Sequence, residues 1–371
     1  NTNMNKLNIF KGKKVLVTGH TGFKGTWLSL WLNNLGANVS GIPIGAPSEP
    51  SCSGAANLLN YIDDYHLDIR KSDSLKSLIK KIQPDFVFHM AAQALVGNAY
   101  EAPLETFETN ALGSANILDA LRVINKPVIA IMITSDKAYE NVEWLWGYRE
   151  TDQLGGKDPY SASKAMAELS IYSFIQSYFN ASSSNVSVGI ARAGNVIGGG
   201  DWASNRLIPD CMRSWSKNDI VDIRNPQSTR PWQHVLEPLS GYLLLGASLF
   251  KNKDYHGEAY NFGPSDNLSY PVSSLIEELS KYWKNVRWDD TSKEKVHLHE
   301  AGLLKLNCDK ALFDLNWRAA LKFEETVKMT AMWYKYYYQN NSDSMYDFTI
   351  SQIEDYTNIA KSRSIEWAND D

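Results

Sequence analysis

A tyrosine and a lysine four residues apart, Tyr160 and Lys164, form the strongest chemical signal in the sequence. They lie in residues 159–179, whose apolar pattern predicts a long helix, and residues at this spacing share one helix face. A lysine ammonium beside a phenol favours the phenolate and so lowers the phenol pKa. A phenolate could take the proton of an alcohol while a hydride leaves the alcohol carbon. The pair therefore indicates oxidation of an alcohol, although a solvated helix face would have the same spacing.

A hydroxyl, a carboxylate and an amine follow one another after a predicted strand at residues 128–133. These side chains belong to Ser135, Asp136 and Lys137, which come directly after Thr134. Ligands bind at the carboxyl ends of the strands in parallel sheets, so these groups are expected to face a substrate. They suit proton transfers, but taken alone they would indicate only a polar turn at a strand exit.

Asn110 is a further candidate, in a predicted amphipathic helix at residues 106–123. This helix follows the small residues Ala91 and Ala92 and then Gln93. An asparagine here could bind a backbone carbonyl and support the active lysine. The alternative is an ordinary amide on a helix surface.

Three glycines, Gly19, Gly22 and Gly25, lie between a predicted strand at residues 13–18 and a predicted helix at residues 25–35. Glycine lets backbone N–H groups approach a pyrophosphate, and a helix N-terminus favours the negative charge. Thr21 and Phe23 belong to the same turn. A tight strand-to-helix turn would also explain the glycines, but the flanking elements favour a dinucleotide site.

The acidic residue that usually binds the adenosine ribose is missing after the second predicted strand, at residues 38–44. Gly45 stands about where a carboxylate is expected. Residues 37–69 contain no Lys or Arg for a 2′-phosphate, so the sequence favours NAD over NADP. Asp68 and Ile69 end the next strand-like segment and are expected to meet the adenine, unless Asp68 caps a helix.

Strands and helices alternate along the first half of the chain, with further strands predicted at residues 85–90 and 187–190 and a helix at residues 72–82. This alternation predicts an α/β fold with a doubly wound parallel Rossmann sheet. After Arg192 the chain becomes glycine-rich, which predicts a second, smaller C-terminal substrate domain. The expected division is residues 1–192 with 233–256 returning to them, residues 193–232 with 257–340, and an extension at 341–371. Residues 338–343 are expected to form a linker to a short helix near residues 347–359.

Composition excludes several classes of protein. The chain has 371 residues, with 37 Lys+Arg against 42 Asp+Glu and a net charge of −5, so it lacks the basic footprint of nucleic-acid binding. No apolar run approaches the ~20 residues that span a membrane. Three isolated cysteines give neither a metal pattern nor a disulfide framework, so we expect no metal. A reducing cytoplasm is the expected location.

Several long strings resemble the extended short-chain dehydrogenase/reductase family over residues 13–333. They include VTGHTGFKGTWLSLWL (17–32), ITSDKAYEN (133–141), DPYSASK (158–164), RAGNVIGGGDWASNRLIPD (192–210) and RPWQHVLEPLSGY (230–242). Within the family, the strings are most similar to the 4,6-dehydratases of nucleotide-linked sugars, with CDP-linked glucose favoured. The resemblance implies bound NAD, a nucleotide-diphospho-sugar substrate, and a homodimer or homotetramer.

The resemblance also implies roles for individual residues. Ser135, Tyr160 and Lys164 would oxidise the substrate with support from Asn110, and Asp136 and Lys137 would dehydrate it. Lys137 stands where related dehydratases have Glu, which leaves the identity of the C5 base open. Lys137 would need to be uncharged to act as that base, and if charged it would position the substrate or stabilise the enolate. The implied cofactor contacts are Gly19, Thr21, Gly22, Phe23, Gly25, Asp68, Ile69, Ala91, Ala92, Gln93, Tyr160 and Lys164. The implied substrate contacts are Asn195, Arg206, Leu207 and Arg230, with Asn261, His299 and Glu300 as weaker candidates.

Two other functions are considered. A nucleotide-sugar 4-epimerase would use the same Tyr160, Lys164 and NAD but would need no dehydrating acid, so Asp136 and Lys137 argue against it. A non-catalytic NAD-binding regulator on this fold would not need an intact Tyr160 and Lys164 pair. The sequence therefore favours the dehydratase.

Overall fold

Seven parallel strands form the central sheet of the structure, a computed structural model that describes residues 6–45, 48–180, 184–264, 269–292, 304–340 and 344–369. In chain order the strands are β1 (Lys14–Thr18), β2 (Asn38–Ile42), β3 (Asp63–Asp64), β4 (Phe86–His89), β5 (Val128–Ile133), β6 (Val186–Ala193), β7 (Val196–Ile197), β8 (Val221–Ile223), β9 (Thr229–Arg230), β10 (Gln233–His234), β11 (Ala259–Phe262), β12 (Tyr270–Pro271) and β13 (Trp288–Asp290). The central sheet has the order β11-β6-β5-β4-β1-β2-β3. Apart from β11 this is the Rossmann order, which confirms the predicted fold class.

Helices cover both faces of this sheet. The α-helices among the described residues are α1 (Phe23–Asn34), α2 (Cys52–Ala55), α3 (Ser72–Ile82), α4 (Val96–Glu101), α5 (Pro103–Phe107), α6 (Gly113–Leu121), α7 (Pro159–Phe174), α8 (Leu207–Ser216), α9 (Leu236–Lys251), α10 (Val272–Ser280), α11 (Asp309–Leu315), α12 (Phe323–Asn340) and α13 (Tyr346–Ser362). None of the helices in these ranges is both long and apolar enough to cross a membrane.

The central strands are buried on both faces because successive side chains alternate between two cores. Val15 and Val17 of β1 point to the core formed with α1 and α9, while Leu16 points to the core formed with α3, α6 and α7. This arrangement fixes the carboxyl ends of β1, β4, β5 and β6 along one edge. The polar residues that follow these strands are therefore held together.

Two predicted helices are interrupted. The helix expected at residues 106–123 consists of α5, a π-helical turn (Glu108–Leu112) and α6, and a second π-helical turn (Ile175–Phe179) follows α7. π-Helical turns are often found at functional sites. The first of them carries Asn110, whose side chain bonds to other segments, as described below.

The predicted boundaries also need correction after residue 257. Strand β11 pairs with β6 and extends the central sheet, although residues 257–340 were expected to belong to the second domain. Helix α12 continues to Asn340, into the first half of the expected linker, whose residues 341–343 lie outside the described ranges, and α13 is a 17-residue helix instead of a short one. Helix α13 packs against α1, with the Trp31 and Tyr356 rings 5.8 Å apart. The rest of the division remains a prediction.

Candidate active site

The turn between β1 and α1 can only be made with glycine. Gly19 has a positive φ of 75°, and a Cβ there would come within 2.8 Å of the Ala91 backbone nitrogen. A Cβ on Gly25 would lie 2.1 Å from the Gly19 carbonyl oxygen. Gly19 thus lies against both the loop after β4 and the first turn of α1 at the point where the strand order reverses, which is the place for a ligand in such a sheet.

This turn fits a pyrophosphate. Gly22 precedes α1 without a side-chain hydrogen bond to the helix, so the first N–H groups remain free for an anion. Thr21 and Phe23 are half-buried in the turn, and the Phe23 ring closely approaches Gly198 in the glycine-rich segment after β7. Through Phe23, the turn between β1 and α1 therefore contacts the glycine-rich segment that follows β7.

The far end of the dinucleotide cleft contains an acidic residue that sequence reasoning missed. Gly45 has a positive φ of 61° and open space around it. Asp64 of β3 pairs with Gly41, and its Oδ1 lies 3.1 Å from His20 Nε2. Burial lowers the pKa of His20, against the opposing charge of Asp64. A Cβ on Gly41 would lie 2.4 Å from the His20 ring, so glycine is required there.

Asp68 is held by the arginine two residues later. Its carboxylate accepts hydrogen bonds from Arg70 Nε at 3.0 Å and from Arg70 Nη2 at 2.8 Å, and Arg70 also pairs with Glu105. These bonds to Arg70 lower the pKa of Asp68. Ile69 is buried against Gly113, and its carbonyl oxygen accepts a bond from Asn116. The one cation near this end of the cleft, among the described residues 37–70, is thus already neutralised.

Asn110 connects three segments. Its Oδ1 accepts from the Gln93 backbone N–H at 2.8 Å, and its Nδ2 donates to the Gln93 carbonyl at 3.0 Å and to Ser163 Oγ at 2.8 Å. Ser163 Oγ donates in turn to the Tyr160 carbonyl at 2.6 Å. Asn110 therefore ties the loop after β4 to the helix that carries Tyr160 and Lys164, and it does not contact the Lys164 side chain in these bonds.

A buried histidine supports the same loop. His89 lies between Thr18 Oγ1 at 2.7 Å and Ser114 Oγ at 3.1 Å. Ser114 donates to the Asn110 carbonyl, so His89 Nε2 must donate to Ser114 and Nδ1 must accept from Thr18. Burial, with repulsion from Lys164, lowers the pKa of His89 to about 3. The neutral ring keeps this chain of hydrogen bonds in one direction.

Tyr160 and Lys164 are both buried, at the carboxyl edge of β5 and β6. Lys164 Nζ lies 5.9 Å from the centre of the Tyr160 ring. Burial lowers the pKa of Lys164 to about 8, with repulsion from Lys24 in the same direction. The expected fall in the tyrosine pKa is not found: burial raises the pKa of Tyr160 to about 12, against a hydrogen bond with Ser135 and the charge of Arg206. Without the cofactor, the removal of Tyr160 from water changes its pKa more than the nearby cations do.

Ser135, Asp136 and Lys137 form the short turn that follows β5 and packs against α7. Ser135 Oγ donates to Asp136 Oδ1 at 2.9 Å and accepts from the Lys137 backbone N–H at 3.2 Å. Burial raises the pKa of Asp136, against the charge of Lys137, the bond from Ser135 and the charge of Lys24. A carboxyl group with a raised pKa can hold a proton for donation.

Lys24 is a site residue that sequence reasoning did not single out. Its Nζ lies 3.4 Å from the hydroxyl of Tyr242 on α9, and its charged neighbours include Asp136, Arg206 and Lys164. Burial lowers the pKa of Lys24 to about 8. A cation in the first turn of a helix opposes the helix dipole. Its position in α1 is therefore a signal of function that was present in the sequence.

The predicted substrate residues fall into two groups. Asn195 is exposed directly after Gly194, whose Cα faces Asp136 so closely that a Cβ would lie 2.9 Å from Oδ2. Arg206 precedes α8, and Leu207 begins that helix. Arg206 pairs with Asp201 at 2.9 Å and influences the pKa of Tyr160, which places it near the reacting pocket. The same loop thus supplies a carboxylate that already binds one side of the guanidinium.

The remaining candidates take part in other contacts of the chain or lie outside the described residues. Arg230 lies on β9, which pairs with β12. Asn261 does not have the expected role: it is fully buried on β11, accepts from Tyr139, and donates to the carbonyls of Tyr148 and Asn307. Its side-chain amide therefore connects β11 to the segments that contain Tyr139, Tyr148 and Asn307. His299 and Glu300 lie outside the described residues.

A buried ion pair lies behind the turn after β5. Arg192 Nε donates to Glu168 Oε1 at 2.7 Å, Thr134 donates to the same oxygen at 2.6 Å, and both charged side chains are at most 4% exposed. Removing one member leaves the other charge buried without its partner. The pair fixes α7 to β6 beneath the site.

We expect Arg192→Leu to lower the free energy of unfolding by ~3–5 kcal/mol, the cost of breaking a buried pair. Urea denaturation measures the change. The control is Lys76→Ala, which removes an exposed partner of Asp119 and should cost at most ~1 kcal/mol. Equal losses in the two variants would contradict the role given to the pair.

A Rossmann sheet with a glycine turn at the strand reversal, and a buried tyrosine and lysine at its carboxyl edge, defines an extended short-chain dehydrogenase/reductase. The chain belongs to the GDP-mannose 4,6-dehydratase family, whose model matches residues 16–330. It is 46% identical over 334 residues to a CDP-glucose 4,6-dehydratase of Salmonella typhimurium, covering 88% of this chain and 92% of that protein. These matches confirm the resemblance found in the sequence.

Solved structures show the same fold. An epimerase from Methanothermobacter thermautotrophicus matches with a TM-score of 0.76 at 23% identity, over 92% of this chain and 98% of that one. A dTDP-glucose 4,6-dehydratase from Streptomyces venezuelae, solved with NAD bound, matches with a TM-score of 0.70 at 21% identity, over 87% and 97%. At these identities the likeness concerns the fold.

Proposed function

We propose that this chain is an NAD-dependent nucleotide-sugar 4,6-dehydratase that converts CDP-glucose to its 4-keto-6-deoxy derivative and water. The observation that carries the proposal is that Tyr160, Ser135 and Asp136 are buried together: Ser135 donates to Asp136, and both residues influence the pKa of Tyr160. Tyr160 suits oxidation of an alcohol, and Asp136 suits loss of water. The identity of 46% to a CDP-glucose 4,6-dehydratase supports the substrate.

NAD is the cofactor, and the glycine turn from Gly19 to Gly25 fits its pyrophosphate. Thr21 and Phe23 would flank the phosphates, Ala91, Ala92 and Gln93 would line the loop beside them, and Ile69 with Asp68 would border the adenine. When bound, NAD would accept a hydride from C4 of the sugar and return a hydride to C6. The positive ring of the oxidised cofactor would lower the pKa of Tyr160, which the chain alone leaves high.

The oxidising residues act on the C4 hydroxyl. Tyr160, as phenolate, takes the proton from O4, and Lys164 stabilises the phenolate by its charge. Ser135 contacts the same oxygen, and Asn110 holds α7 to the loop after β4. The resulting C4 ketone makes the C5 proton acidic, so the second half of the reaction can begin.

The eliminating residues act on C5 and C6. Asp136, whose carboxyl pKa is raised by burial, donates a proton to O6 as the C6–O bond breaks. Lys137 follows Asp136 and is the proposed group that removes the C5 proton. The product is a nucleotide-linked 4-keto-6-deoxy sugar with one water released.

The change in substrate mass tests the function directly. Incubation with CDP-glucose should reduce the mass of the nucleotide sugar by one water, measured by mass spectrometry. Epimerisation would leave the mass unchanged, and a regulator would leave the substrate untouched. A panel of other nucleotide-linked hexoses tests the choice of CDP-glucose in the same way.

We expect activity with NAD and little activity with NADP. The described part of the cleft beyond β2 offers one guanidinium, on Arg70, and Asp68 and Glu105 already bind it. A 2′-phosphate would have to compete with these two carboxylates for the guanidinium, and Lys71, whose charge also acts on Asp68, is the other cation nearby. Apo-protein reconstituted with each cofactor tests the preference, and equal activity with NADP would refute it.

We expect Arg206→Ala to weaken binding of CDP-glucose by ~1.5–3 kcal/mol, the range for hydrogen bonds to charged groups. An arginine can bind a diphosphate through two parallel hydrogen bonds, which a lysine cannot. Arg206→Lys is therefore the matched control for charge alone, and Arg230→Ala tests the second proposed contact. Calorimetric titration gives the affinity. Normal affinity in both alanine variants would remove these arginines from the substrate site.

The same fold supports a homodimer. Helices α5 and α7 pack together and present exposed apolar side chains, among them Leu104 at 75% and Leu169 at 60% exposure. A second copy of this chain would cover them, as a symmetric dimer buries the same patch twice. Light scattering on the native chain and on Leu169→Glu checks this, including any further pairing to a tetramer. The proposed location is the cytoplasm, where both the cofactor and the substrate are metabolites, and cell fractionation tests it.

A further inference from the structure

Arg206 lies at the end of the loop between β7 and α8, and this loop packs against the C-terminal helix α12. Two residues of the loop are almost removed from water, since Asp201 is 6% exposed and Trp202 is 4% exposed. Trp333 and Tyr334 of α12 are fully buried against them. Residues far along the chain therefore shape the loop that carries a proposed substrate arginine.

Asp201 binds three groups at once. Its Oδ2 accepts from Arg206 Nη1 at 2.9 Å, and its Oδ1 accepts from the Ala203 backbone N–H at 3.1 Å. Its backbone carbonyl accepts a hydrogen bond from the Tyr334 hydroxyl. The guanidinium of Arg206 is thus connected to α12 by two hydrogen bonds that meet in one buried residue.

The neighbouring Trp202 keeps the loop from moving along α12. Its ring centre lies 4.8 Å from that of Tyr337 and 5.5 Å from that of Trp333. On the loop side, a Cβ on Gly199 would come within 1.9 Å of the Trp333 ring. Because such close packing leaves no space for another arrangement, the backbone of Asp201 keeps one position relative to α12.

This arrangement leaves one side of the Arg206 guanidinium for a ligand. Nη1 is the nitrogen that Asp201 binds, and neither Nε nor Nη2 makes a hydrogen bond to another described residue. The side chain is 38% exposed, so a ligand can reach these two donors. Two parallel N–H groups match two oxygens of a diphosphate, and the match depends on the orientation of the guanidinium plane. A guanidinium that is already held in place loses less freedom when the diphosphate binds.

We propose that Tyr334 is a positioning residue for the substrate: through Asp201 it holds the Arg206 guanidinium in the orientation that binds the diphosphate of the nucleotide sugar. Helix α12 contributes to substrate binding in this way without touching the substrate. Tyr334 acts on affinity and leaves the chemical steps unchanged, because the diphosphate is joined to C1 of the sugar, away from C4 and C6. This inference rests on the proposed dehydratase function.

Tyr334→Phe tests this role, because phenylalanine keeps the ring that packs against Trp202 and lacks the hydroxyl. The affinity for CDP-glucose, measured by calorimetric titration, should fall by about 3- to 10-fold, the effect of one lost hydrogen bond. The KM should rise by a similar factor, while kcat and the affinity for NAD remain those of the native chain. Tyr356→Phe is the matched control, since Tyr356 is a fully buried tyrosine of α13 whose hydroxyl donates to Glu237 at 2.7 Å. It should keep the native affinity for CDP-glucose.

A double-mutant cycle separates the positioning of Arg206 from a general effect on the fold. In the Arg206→Ala background, Tyr334→Phe should change the affinity for CDP-glucose by less than about 1.5-fold, because the guanidinium that Tyr334 orients is absent. An equal loss of affinity in both backgrounds, or no loss in the native background, overturns the proposal.

Asp201→Asn repeats the cycle from the other side of Asp201 and decides the question if Tyr334→Phe does not fold. It removes the charge that binds Arg206 Nη1 and keeps the backbone carbonyl that Tyr334 binds. Positioning predicts weaker binding of CDP-glucose in this variant, and no change when Arg206 is already alanine. If Asp201 only competed with the diphosphate for the guanidinium, its loss would strengthen binding, and that result would overturn the proposal.

The titration is separate from the test of the reaction. A native chain that binds CDP-glucose but releases no water contradicts the dehydratase function, and the cycle still decides the role of Tyr334. A native chain that does not bind CDP-glucose contradicts both, because Arg206 would then have no diphosphate to bind.

Discussion

Tyr160→Phe should prevent the first hydride transfer and reduce turnover by up to ~10⁴-fold, the upper range for loss of a proton-transfer group. The phenylalanine ring fills the same space in the buried pocket but has no oxygen to take the O4 proton. The C4 hydroxyl then keeps its proton, and the hydride cannot leave. Lys164 cannot replace the phenolate, because its ammonium lies beside the ring and burial together with repulsion from Lys24 lowers its pKa only to about 8.

Absorbance of the reduced cofactor in a single turnover measures this effect, and no NADH should appear in the variant. Tyr172→Phe is the matched control, since Tyr172 is on the same helix but is 59% exposed and distant from the pocket in the helix register. It should keep native rates. NADH formation at the native rate in Tyr160→Phe would remove Tyr160 from the oxidation.

Asp136→Asn should allow oxidation but slow the loss of water by ~10²–10⁴-fold. An amide has nearly the size of the carboxyl and fits against Gly194, yet it cannot donate the proton that O6 needs as the C6–O bond breaks. NADH should therefore appear at once and persist, since the hydride has no acceptor at C6 until water has left.

Persistence of NADH is measured in the same single-turnover trace, with deuterium exchange from solvent at C5 followed alongside. Asp73→Asn, on the exposed surface of α3, is the control for loss of one carboxylate and should behave as the native chain. If Asp136→Asn blocks NADH formation as completely as Tyr160→Phe does, the proposed division between oxidation and elimination is wrong.

The parts of the fold that depend on local pattern could be predicted from the sequence. Strand β5 has the predicted bounds because Val128–Ile133 is an unbroken apolar run, and Ser135 and Asp136 follow it at the sheet edge. The glycine turn was predictable for the same reason, since its strand, glycines and helix are adjacent in the chain. These features needed no information from distant residues.

Features set by distant contacts could not be predicted. The π-helical turn at Asn110 holds Gln93 and Ser163, and neither contact leaves a trace in the apolar periodicity. Asn261 is a polar residue in a buried strand. Only the fold shows that its side-chain amide is hydrogen-bonded to the Tyr139 hydroxyl and to two backbone carbonyls. The rise in the pKa of Tyr160 likewise depends on complete burial, which spacing alone does not give.

The contact between α1 and α13 has a consequence for the order in which the protein is made. Trp31, on the back of the helix that begins at the cofactor turn, is covered by Tyr356 and Trp367, with ring centres 5.8 and 5.9 Å away. A ribosome releases the N-terminal segments first. The first strand–helix unit therefore emerges early but keeps an uncovered indole on the back of α1 until residue 367 has been synthesised.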